Sequence, residues 1–192
     1  MRLTGGEHSG RLLKVPADGT RPTQDKVRAA IFSSLAATVP GARVLDLFAG
    51  TGALGLEAWS RGAAWIEWVE SGKNALRVLR GNVAALGVPA EAGRVLAADA
   101  FRLLAAPCAG LPFDLALADP PYAEAQEKNW LPQLAAALVR NGWVRPGGVF
   151  VFETEGKAPP PALPDWRLAR DKSYGSTRVW IWVRASGAPI AP

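Results

Sequence analysis

Residues 43–55 have the sequence RVLDLFAGTGALG, and this stretch decides the fold. Its first six residues form a short apolar run typical of a buried strand. The segment after them matches the pattern G-x-G-x-x-G at a strand-to-helix turn. Glycines at such a turn let a ligand approach the backbone N–H groups at the start of the next helix. The stretch therefore predicts a cofactor-binding loop at the carboxyl edge of a parallel sheet.

Similar apolar runs recur along the chain and alternate with helical patterns. The predicted strands are residues 43–48, 65–70, 94–98, 114–118 and 148–152. The predicted helices between them are residues 53–61, 71–86, 99–106 and 128–141, with Ser71 as the expected N-cap of the second. This alternation predicts an α/β fold in which helices cover both faces of a parallel sheet.

The two ends depart from the alternation. Residues 1–20 predict a β-hairpin or extended arm that turns at Gly5-Gly6 and Gly10, and an amphipathic helix follows at about 23–38. Residues 166–174 and 177–183 predict a hairpin that adds an antiparallel edge to the sheet. Four side chains share one face of its second strand: Arg178, Trp180, Trp182 and Arg184. We expect this face to pack under a covering helix, with stacking on nucleic-acid bases as the alternative.

Composition restricts the class of protein. The chain has 192 residues, of which 49% are apolar, enough for one domain with a full core. No apolar run approaches the roughly 18 residues of a membrane span, and the N-terminus lacks the apolar region of a signal peptide. We therefore expect a cytoplasmic protein without membrane contact. One cysteine, Cys108, and one histidine, His8, leave no disulfide framework and too few soft ligands for zinc, so no metal site is expected.

Charge is distributed unevenly along the chain. Residues 1–43 carry 7 Lys/Arg against 3 Asp/Glu, residues 44–164 carry 10 against 12, and residues 165–192 carry 5 against 2. An acidic middle between two basic ends predicts an anionic macromolecule held beside a central site, with solubility alone as the alternative.

Five cations of the N-terminal segment fall within 18 residues: Arg11, Lys14, Arg21, Lys26 and Arg28. Their density makes them candidate contacts to nucleic-acid phosphates. The alternative is that Arg21 and Arg28 pair with Asp25 or with nearby backbone and hold the segment on the domain.

Acidic residues end three successive predicted strands. Asp46 would repel a pyrophosphate but attract an ammonium group, and Glu70 is placed to accept both hydroxyls of a ribose. Asp99 is placed to accept a hydrogen bond from an adenine amino group. S-adenosylmethionine has an ammonium, a sulfonium and an adenosine, and it has no phosphate. The structural alternatives are that Asp46 caps a turn, that Glu70 is solvated and that Asp99 only caps the helix it begins.

The tetrapeptide Asp119-Pro120-Pro121-Tyr122 directly follows the fourth predicted strand. An exocyclic amine of a nucleobase is a poor nucleophile because its lone pair is delocalised into the ring. The Asp119 carboxylate and a rigid backbone carbonyl can each accept one N–H and direct the lone pair towards an electrophilic methyl. Tyr122 can stack on a base turned out of its helix. These features predict methyl transfer to an amine.

Two motifs together resemble a known family. The segment 46–58, DLFAGTGALGLEA, followed by Asp119-Pro120-Pro121-Tyr122 resembles the class I S-adenosylmethionine-dependent methyltransferases that modify amino groups. Residues 21–28, RPTQDKVR, with the preceding glycine turns, are similar to the bacterial 16S rRNA guanine-N2 methyltransferases. The resemblance covers nearly the whole chain. It departs from the family at residues 6–10, GEHSG, where an aromatic and an extra basic residue are usual.

The resemblance implies a Rossmann-like fold: a mostly parallel seven-stranded sheet with a C-terminal antiparallel hairpin and an N-terminal β-hairpin and helix extension. It implies an RNA-binding extension at 1–40, a methyltransferase domain at 41–185 and a tail at 186–192. The implied cofactor site consists of Asp46, Phe48, Ala49, Gly50, Thr51, Gly52, Glu70, Ser71, Asp99 and Ala100. The implied RNA contacts are Arg11, Lys14, Arg21, Thr23, Lys26 and Arg28, and the base-binding residues are Asp119, Pro120, Pro121 and Tyr122.

The activity implied by the resemblance is transfer of methyl from S-adenosylmethionine to N2 of a guanine in 16S rRNA, usually at position 966. The expected partner is that rRNA or the 30S subunit, and the expected state is a monomer. Three alternatives stay open. D-P-P-Y would also serve adenine N6 or cytosine N4, the glycine loop would also serve an NAD(P)-linked oxidoreductase, and the fold would also serve a non-catalytic rRNA-binding factor.

Overall fold

A computed structural model describes residues 1–15 and 25–186. It contains seven strands: β1 Arg43–Leu47, β2 Trp65–Glu70, β3 Gly93–Ala97, β4 Phe113–Ala118, β5 Val144–Glu155, β6 Trp166–Tyr174 and β7 Thr177–Arg184. The α-helices are α1 Asp25–Ser34, α2 Ala53–Ser60, α3 Lys73–Leu86, α4 Ala100–Leu104, α5 Tyr122–Glu127 and α6 Trp130–Arg140. A short 3-10 helix, Ala90–Ala92, precedes β3.

The strands form one sheet in the order β3-β2-β1-β4-β5-β7-β6. Strands β1 to β5 are parallel, whereas β7 pairs antiparallel with both β5 and β6. The chain leaves β1 in one direction along the sheet and returns to β4 on its other side, so the strand order reverses between them. A ligand of an open α/β sheet binds at such a point, outside the carboxyl ends of the strands. The predicted mostly parallel seven-stranded fold is confirmed.

Hydrophobic clusters cover both faces of the sheet. One face packs against α1, α2 and α3, and the other packs against α4, α5 and α6. The central strands are buried on both sides, which explains why they are almost entirely apolar. Within the described residues, no helix combines the length and apolar character that crossing a bilayer requires.

Most predicted elements are present within a few residues of their expected bounds. Two differences concern the site. Helix α5 begins at Tyr122, where no helix was predicted. The prediction that Ser71 caps α3 is wrong, because the helix begins at Lys73 and Gly72 occupies the cap position. Ser71 lies one residue too early and is exposed, while the Glu70 side chain accepts the Gly72 N–H.

The Arg/Trp face of β7 packs in the core, as expected. Trp180 and Trp182 are buried in the cluster that includes α6. Arg178 forms a two-pronged ion pair with Asp171, at 2.7 and 2.6 Å, and Arg184 donates to the backbone carbonyl of Val144. This face therefore offers no tryptophan surface on which bases could stack.

Residues 1–15, called here the N-terminal hairpin, form the predicted hairpin. Backbone bonds run from Leu3 N–H to the Arg11 carbonyl and from Leu13 N–H to the Met1 carbonyl. Leu3 and Leu13 are buried in the same cluster as α1, α2 and α3. The hairpin thus shares a hydrophobic core with the sheet. Arg21, Thr23 and residues 187–192 lie outside the described residues.

Candidate functional site

The glycine loop connects β1 to α2 at the carboxyl edge. Phe48, Gly50 and Gly52 all have positive φ, at 58°, 55° and 82°. Gly52 is the N-cap of α2, so the loop ends directly at a helix N-terminus. A non-glycine residue with positive φ is uncommon and clusters at functional sites. The loop therefore has the tight, glycine-dependent turn that the sequence predicted, and its binding of a cofactor stays a prediction.

The third glycine of the motif has a packing role. A Cβ on Gly55 would lie 2.1 Å from Trp68 Nε1 and 2.8 Å from Ile66 Cγ2, both on β2. A Cβ on Gly52 would lie 2.3 Å from Leu79 Cδ1 of α3. Helix α2 therefore lies closer to the sheet than any side chain at position 55 would permit, which places its N-terminus at the edge.

Asp46 and Glu70 hold the loop in place. The buried Asp46 carboxylate accepts the Gly55 N–H at 2.8 Å. Glu70 accepts the Gly50 N–H at 2.8 Å with one oxygen and the Gly72 N–H at 2.6 Å with the other. Asp99 is exposed and accepts the Arg102 N–H at 2.9 Å as the N-cap of α4. Asp46 and Asp99 thus have structural roles close to their alternatives, whereas Glu70 is not simply solvated but binds two backbone N–H groups. Each acid keeps oxygen lone pairs for a ligand.

The electrostatics of Asp46 connect the two motifs. The pKa of its carboxyl is raised to about 8, chiefly by burial and to a lesser extent by the negative charges of Asp119 and Glu70, against the lowering effect of the Gly55 N–H. The glycine loop, the acid that ends β2 and the D-P-P-Y tetrapeptide therefore lie within electrostatic reach of one another.

The D-P-P-Y tetrapeptide follows β4 directly, and its Tyr122 begins α5. The Tyr122 hydroxyl donates to Glu153 Oε1 on β5 at 2.5 Å. Burial raises the pKa of Tyr122 well above its usual range, and the charges of Asp119 and Glu153 add to this effect. The ring is therefore a neutral phenol whose position is set by β5.

Several residues at this edge were not predicted. Glu153 directly follows predicted strand 148–152, so the signal that identified Glu70, an acid at a strand end, could also have identified it. Phe101 and Trp130 pack around Phe48: Trp130 stacks on Phe48 with ring centroids 5.4 Å apart, and Phe101 meets Trp130 edge-on at 5.2 Å. No local pattern marks Trp130. Among the described residues, no three His, Cys, Asp or Glu side chains lie together as a metal site would require.

The N-terminal cations have different environments. Arg28 is fully buried; it pairs with Glu57 at 3.1 Å and with Asp25 at 2.9 Å, and it donates to the Arg2 carbonyl. The prediction that Arg28 contacts RNA is therefore wrong, and the alternative that it holds the segment on the domain is correct. Glu57 of α2 is buried beside α1, and a buried carboxylate requires a cationic partner. This explains why Arg28 of α1 is buried.

Arg11, Lys14 and Lys26 are exposed. The backbone of Lys14 is fixed by Asn82 of α3, whose side chain accepts the Lys14 N–H at 2.8 Å and donates to the Lys14 carbonyl at 3.0 Å. Asn82 also donates to the Thr51 carbonyl of the glycine loop at 2.9 Å. One buried side chain thus connects the N-terminal hairpin to the loop.

Comparisons with known proteins identify the family of this chain. The family model described as "Conserved hypothetical protein 95" matches residues 1–183. The chain belongs to this family. Ribosomal RNA small subunit methyltransferase D of Escherichia coli (strain K12) is 36% identical over 186 residues, which are 96% of this chain and 90% of that protein. The protein of the same name from Haemophilus influenzae is 31% identical over 176 residues, 91% of this chain and 89% of that protein.

A solved structure with a similar sequence shows the same fold. The Escherichia coli protein yhhF superposes with a TM-score of 0.85 at 36% identity, covering 97% of this chain and 99% of that one. The predicted membership among class I methyltransferases is confirmed, as is the expectation of an enzyme.

Proposed function

We propose that the chain transfers a methyl group from S-adenosylmethionine to the exocyclic N2 of a guanine in small-subunit rRNA, with position 966 as the target. One observation carries the proposal: D-P-P-Y directly follows β4, which pairs with β1 so that Ala118 lies opposite Leu47, and the Asp119 charge contributes to the raised pKa of Asp46. Methyl transfer requires that the cofactor site and the amine-binding site lie next to each other. The relatives described above are named as methyltransferases of small-subunit ribosomal RNA, which supports this class of substrate.

The residues of the loop fit S-adenosylmethionine. A Cβ on Gly50 would meet only the Phe48 carbonyl, at 3.9 Å, so the space beside the loop is open. Asp46, Glu70 and Asp99 lie at or just past the carboxyl ends of β1, β2 and β3, and carboxylates favour an ammonium and hydroxyl groups and repel a pyrophosphate. When bound, S-adenosylmethionine supplies a sulfonium methyl as the electrophile. The same acids disfavour an NAD(P)-linked oxidoreductase.

Each acid has a distinct role in this proposal. Asp46 attracts the ammonium group. Glu70 accepts hydrogen bonds from the ribose hydroxyls with the oxygen lone pairs that do not bind the loop N–H groups, and Asp99 accepts a hydrogen bond from the adenine amino group. The backbone around Phe48, Ala49, Thr51, Ser71 and Ala100 completes the cofactor site.

The tetrapeptide prepares the amine. Asp119 and the Pro120 carbonyl each accept one N–H of the guanine amine, which directs the nitrogen lone pair towards the methyl. The nitrogen loses one proton as it gains the methyl, and the Asp119 carboxylate is placed to receive it. Tyr122, fixed by Glu153, stacks on the base after it leaves its helix.

Nucleoside analysis tests the proposal. The protein is incubated with methyl-labelled S-adenosylmethionine and either a 16S rRNA transcript or 30S subunits, and the RNA is digested for mass spectrometry. We expect N2-methylguanosine at one position. N6-methyladenosine or N4-methylcytidine would assign the amine differently, and RNA binding without label would indicate a non-catalytic factor. Binding of NAD without binding of S-adenosylmethionine would overturn the cofactor assignment.

A further inference from the structure

Helix α3 carries three cations on one exposed face. Lys73, Arg77 and Arg80 are spaced at i, i+4 and i+7, so their side chains form one stripe. All three are exposed. The buried side chains of the helix, which include Leu76, Leu79, Asn82 and Leu86, lie on its opposite side. By the rise of an α-helix, the stripe extends over roughly 10 Å.

Helix stability does not explain this stripe. Residues 71–90 contain no Asp or Glu, so no acid on α3 balances the cations. Lys73 is the first residue of the helix, where the helix dipole disfavours a positive charge. Exposed helices that serve only solubility ordinarily mix both signs.

Three other exposed cations have an acidic partner. Arg94 pairs with Glu67, Lys128 with Glu124 and Arg145 with Asp114. In the part of the chain that the structure describes, none of the three α3 cations takes part in an ion pair. Their charge is therefore available to an external anion.

The N-terminal hairpin contacts the second half of α3 on the side of Asn82, away from the stripe. Arg11 donates to the Ala85 carbonyl at 3.4 Å, and the backbone of Lys14 is bound to Asn82. Both side chains are exposed beside the second half of α3. The basic surface defined here consists of the three stripe residues Lys73, Arg77 and Arg80.

The basic surface begins at the candidate active site. Lys73 lies three residues after Glu70, which ends β2 at the carboxyl edge of the sheet. A polyanion bound along α3 would therefore extend from that edge. We infer that the basic surface binds the phosphate backbone of the substrate rRNA, with Arg77 and Arg80 as phosphate contacts; this inference rests on the proposed function.

A second group of exposed cations provides a matched control. Arg167, Arg170 and Lys172 lie on β6, the strand at the opposite end of the sheet from β3. Charged side chains on an edge strand prevent pairing with other chains, which explains this group without RNA. Replacing two of these arginines changes the net charge as much as replacing two on α3.

The test compares two double variants, Arg77→Ala/Arg80→Ala and Arg167→Ala/Arg170→Ala. Binding of a 16S rRNA transcript is measured as a function of salt concentration, together with thermal melting and S-adenosylhomocysteine affinity. For the α3 variant, the slope of log K against log salt should fall by about 1.5 units, since each lost phosphate contact removes about 0.7 to 0.9. Melting and affinity for S-adenosylhomocysteine should stay at wild-type values. The β6 variant should retain the wild-type slope.

The outcomes separate this inference from the proposed function. A wild-type salt slope in the α3 variant, or an equal decrease of the slope in both variants, would overturn the RNA-binding role of the basic surface. The proposed function would still stand if the wild-type protein methylates the rRNA. A wild-type protein that neither binds nor methylates the transcript or 30S subunits would overturn both.

Discussion

At the scale of single residues, Asp119 and Asp46 share one edge of the sheet but serve different ligands in the proposed mechanism. Asp119→Ala should lower the rate of methyl transfer by at least about 10²-fold, the usual effect of removing one positioned hydrogen-bonding group at a reacting centre. Affinity for S-adenosylhomocysteine should remain near the wild-type value. Single-turnover kinetics and calorimetry measure the two quantities. Loss of cofactor binding in a folded Asp119→Ala protein would show that the roles are divided wrongly.

Asp46 should make cofactor binding depend on pH. Its pKa is raised from 3.8 to about 8, so most of the free protein carries a protonated carboxyl at neutral pH. A bound ammonium favours the ionised form, so binding releases a proton, and affinity should increase by up to about tenfold per pH unit as pH rises towards about 8. Calorimetry with S-adenosylhomocysteine across this range measures the effect.

The control is Asp46→Asn, in which the ligand amine still titrates but the carboxyl is absent. Its affinity should depend less on pH than that of the wild type, and the same profile in both proteins would refute the role of Asp46.

The raised pKa of Asp46 affects the folding stability of the ligand-free protein in the opposite direction to cofactor affinity, so that stability falls as pH rises. The folded state binds the proton more tightly than the unfolded chain, so this contribution to stability is present below about pH 4 and is lost as pH rises towards about 8.

At the scale of elements, the close approach of α2 to the sheet depends on Gly55. Gly55→Ala places a Cβ 2.1 Å from Trp68 Nε1, so α2 must shift away from β2. We expect a loss of about 1–3 kcal/mol in the free energy of unfolding, together with weaker cofactor binding. Urea unfolding and calorimetry measure both.

Gly81→Ala is the matched control. Gly81 lies on the exposed side of α3, and a Cβ there meets nothing within 4 Å. Alanine is the better helix former, so this variant should gain roughly 0.5–1 kcal/mol. Equal stability changes in the two variants would show that the contact of α2 with Trp68 does not constrain position 55.

At the scale of the whole molecule, buried polar contacts connect the N-terminal hairpin, α1 and α2. Glu57 on α2 is fully buried and accepts from Arg28, Arg61 and Thr4. Arg28→Ala removes one partner of a buried charge, so we expect a loss of about 3 kcal/mol in the free energy of unfolding. Lys26→Ala, an exposed change on the same helix, should stay within about 0.5 kcal/mol of the wild type.

Chemical denaturation and salt-titrated rRNA binding distinguish the two roles of Arg28. We expect lower stability with an unchanged salt slope in Arg28→Ala. An unchanged free energy of unfolding together with a reduced salt slope of rRNA binding would show that Arg28 contacts RNA after all.

Much of the site could be predicted because its signals are local. The glycine loop, the acids at Asp46, Glu70 and Asp99 and the D-P-P-Y tetrapeptide each depend on a few adjacent residues, and parallel strands bring their carboxyl ends to one edge. Strand periodicity likewise predicted the parallel core and the antiparallel hairpin at the C-terminus. Even the packing of Trp180 and Trp182 followed from alternation along one strand.

Contacts between distant residues were decided by the tertiary structure. Arg28 has the same charge as Lys26, but only Arg28 is buried, because Glu57 lies beside it from 29 positions along the chain. Tyr122 is oriented by Glu153, 31 positions away, and Asn82 connects Lys14 to Thr51. Local sequence patterns were enough to bring the glycine loop, the acids at the strand ends and D-P-P-Y to the carboxyl edge, because parallel strands end at the same edge. Packing decided which cations remain exposed to an anion, because burial depends on partners that no local pattern specifies.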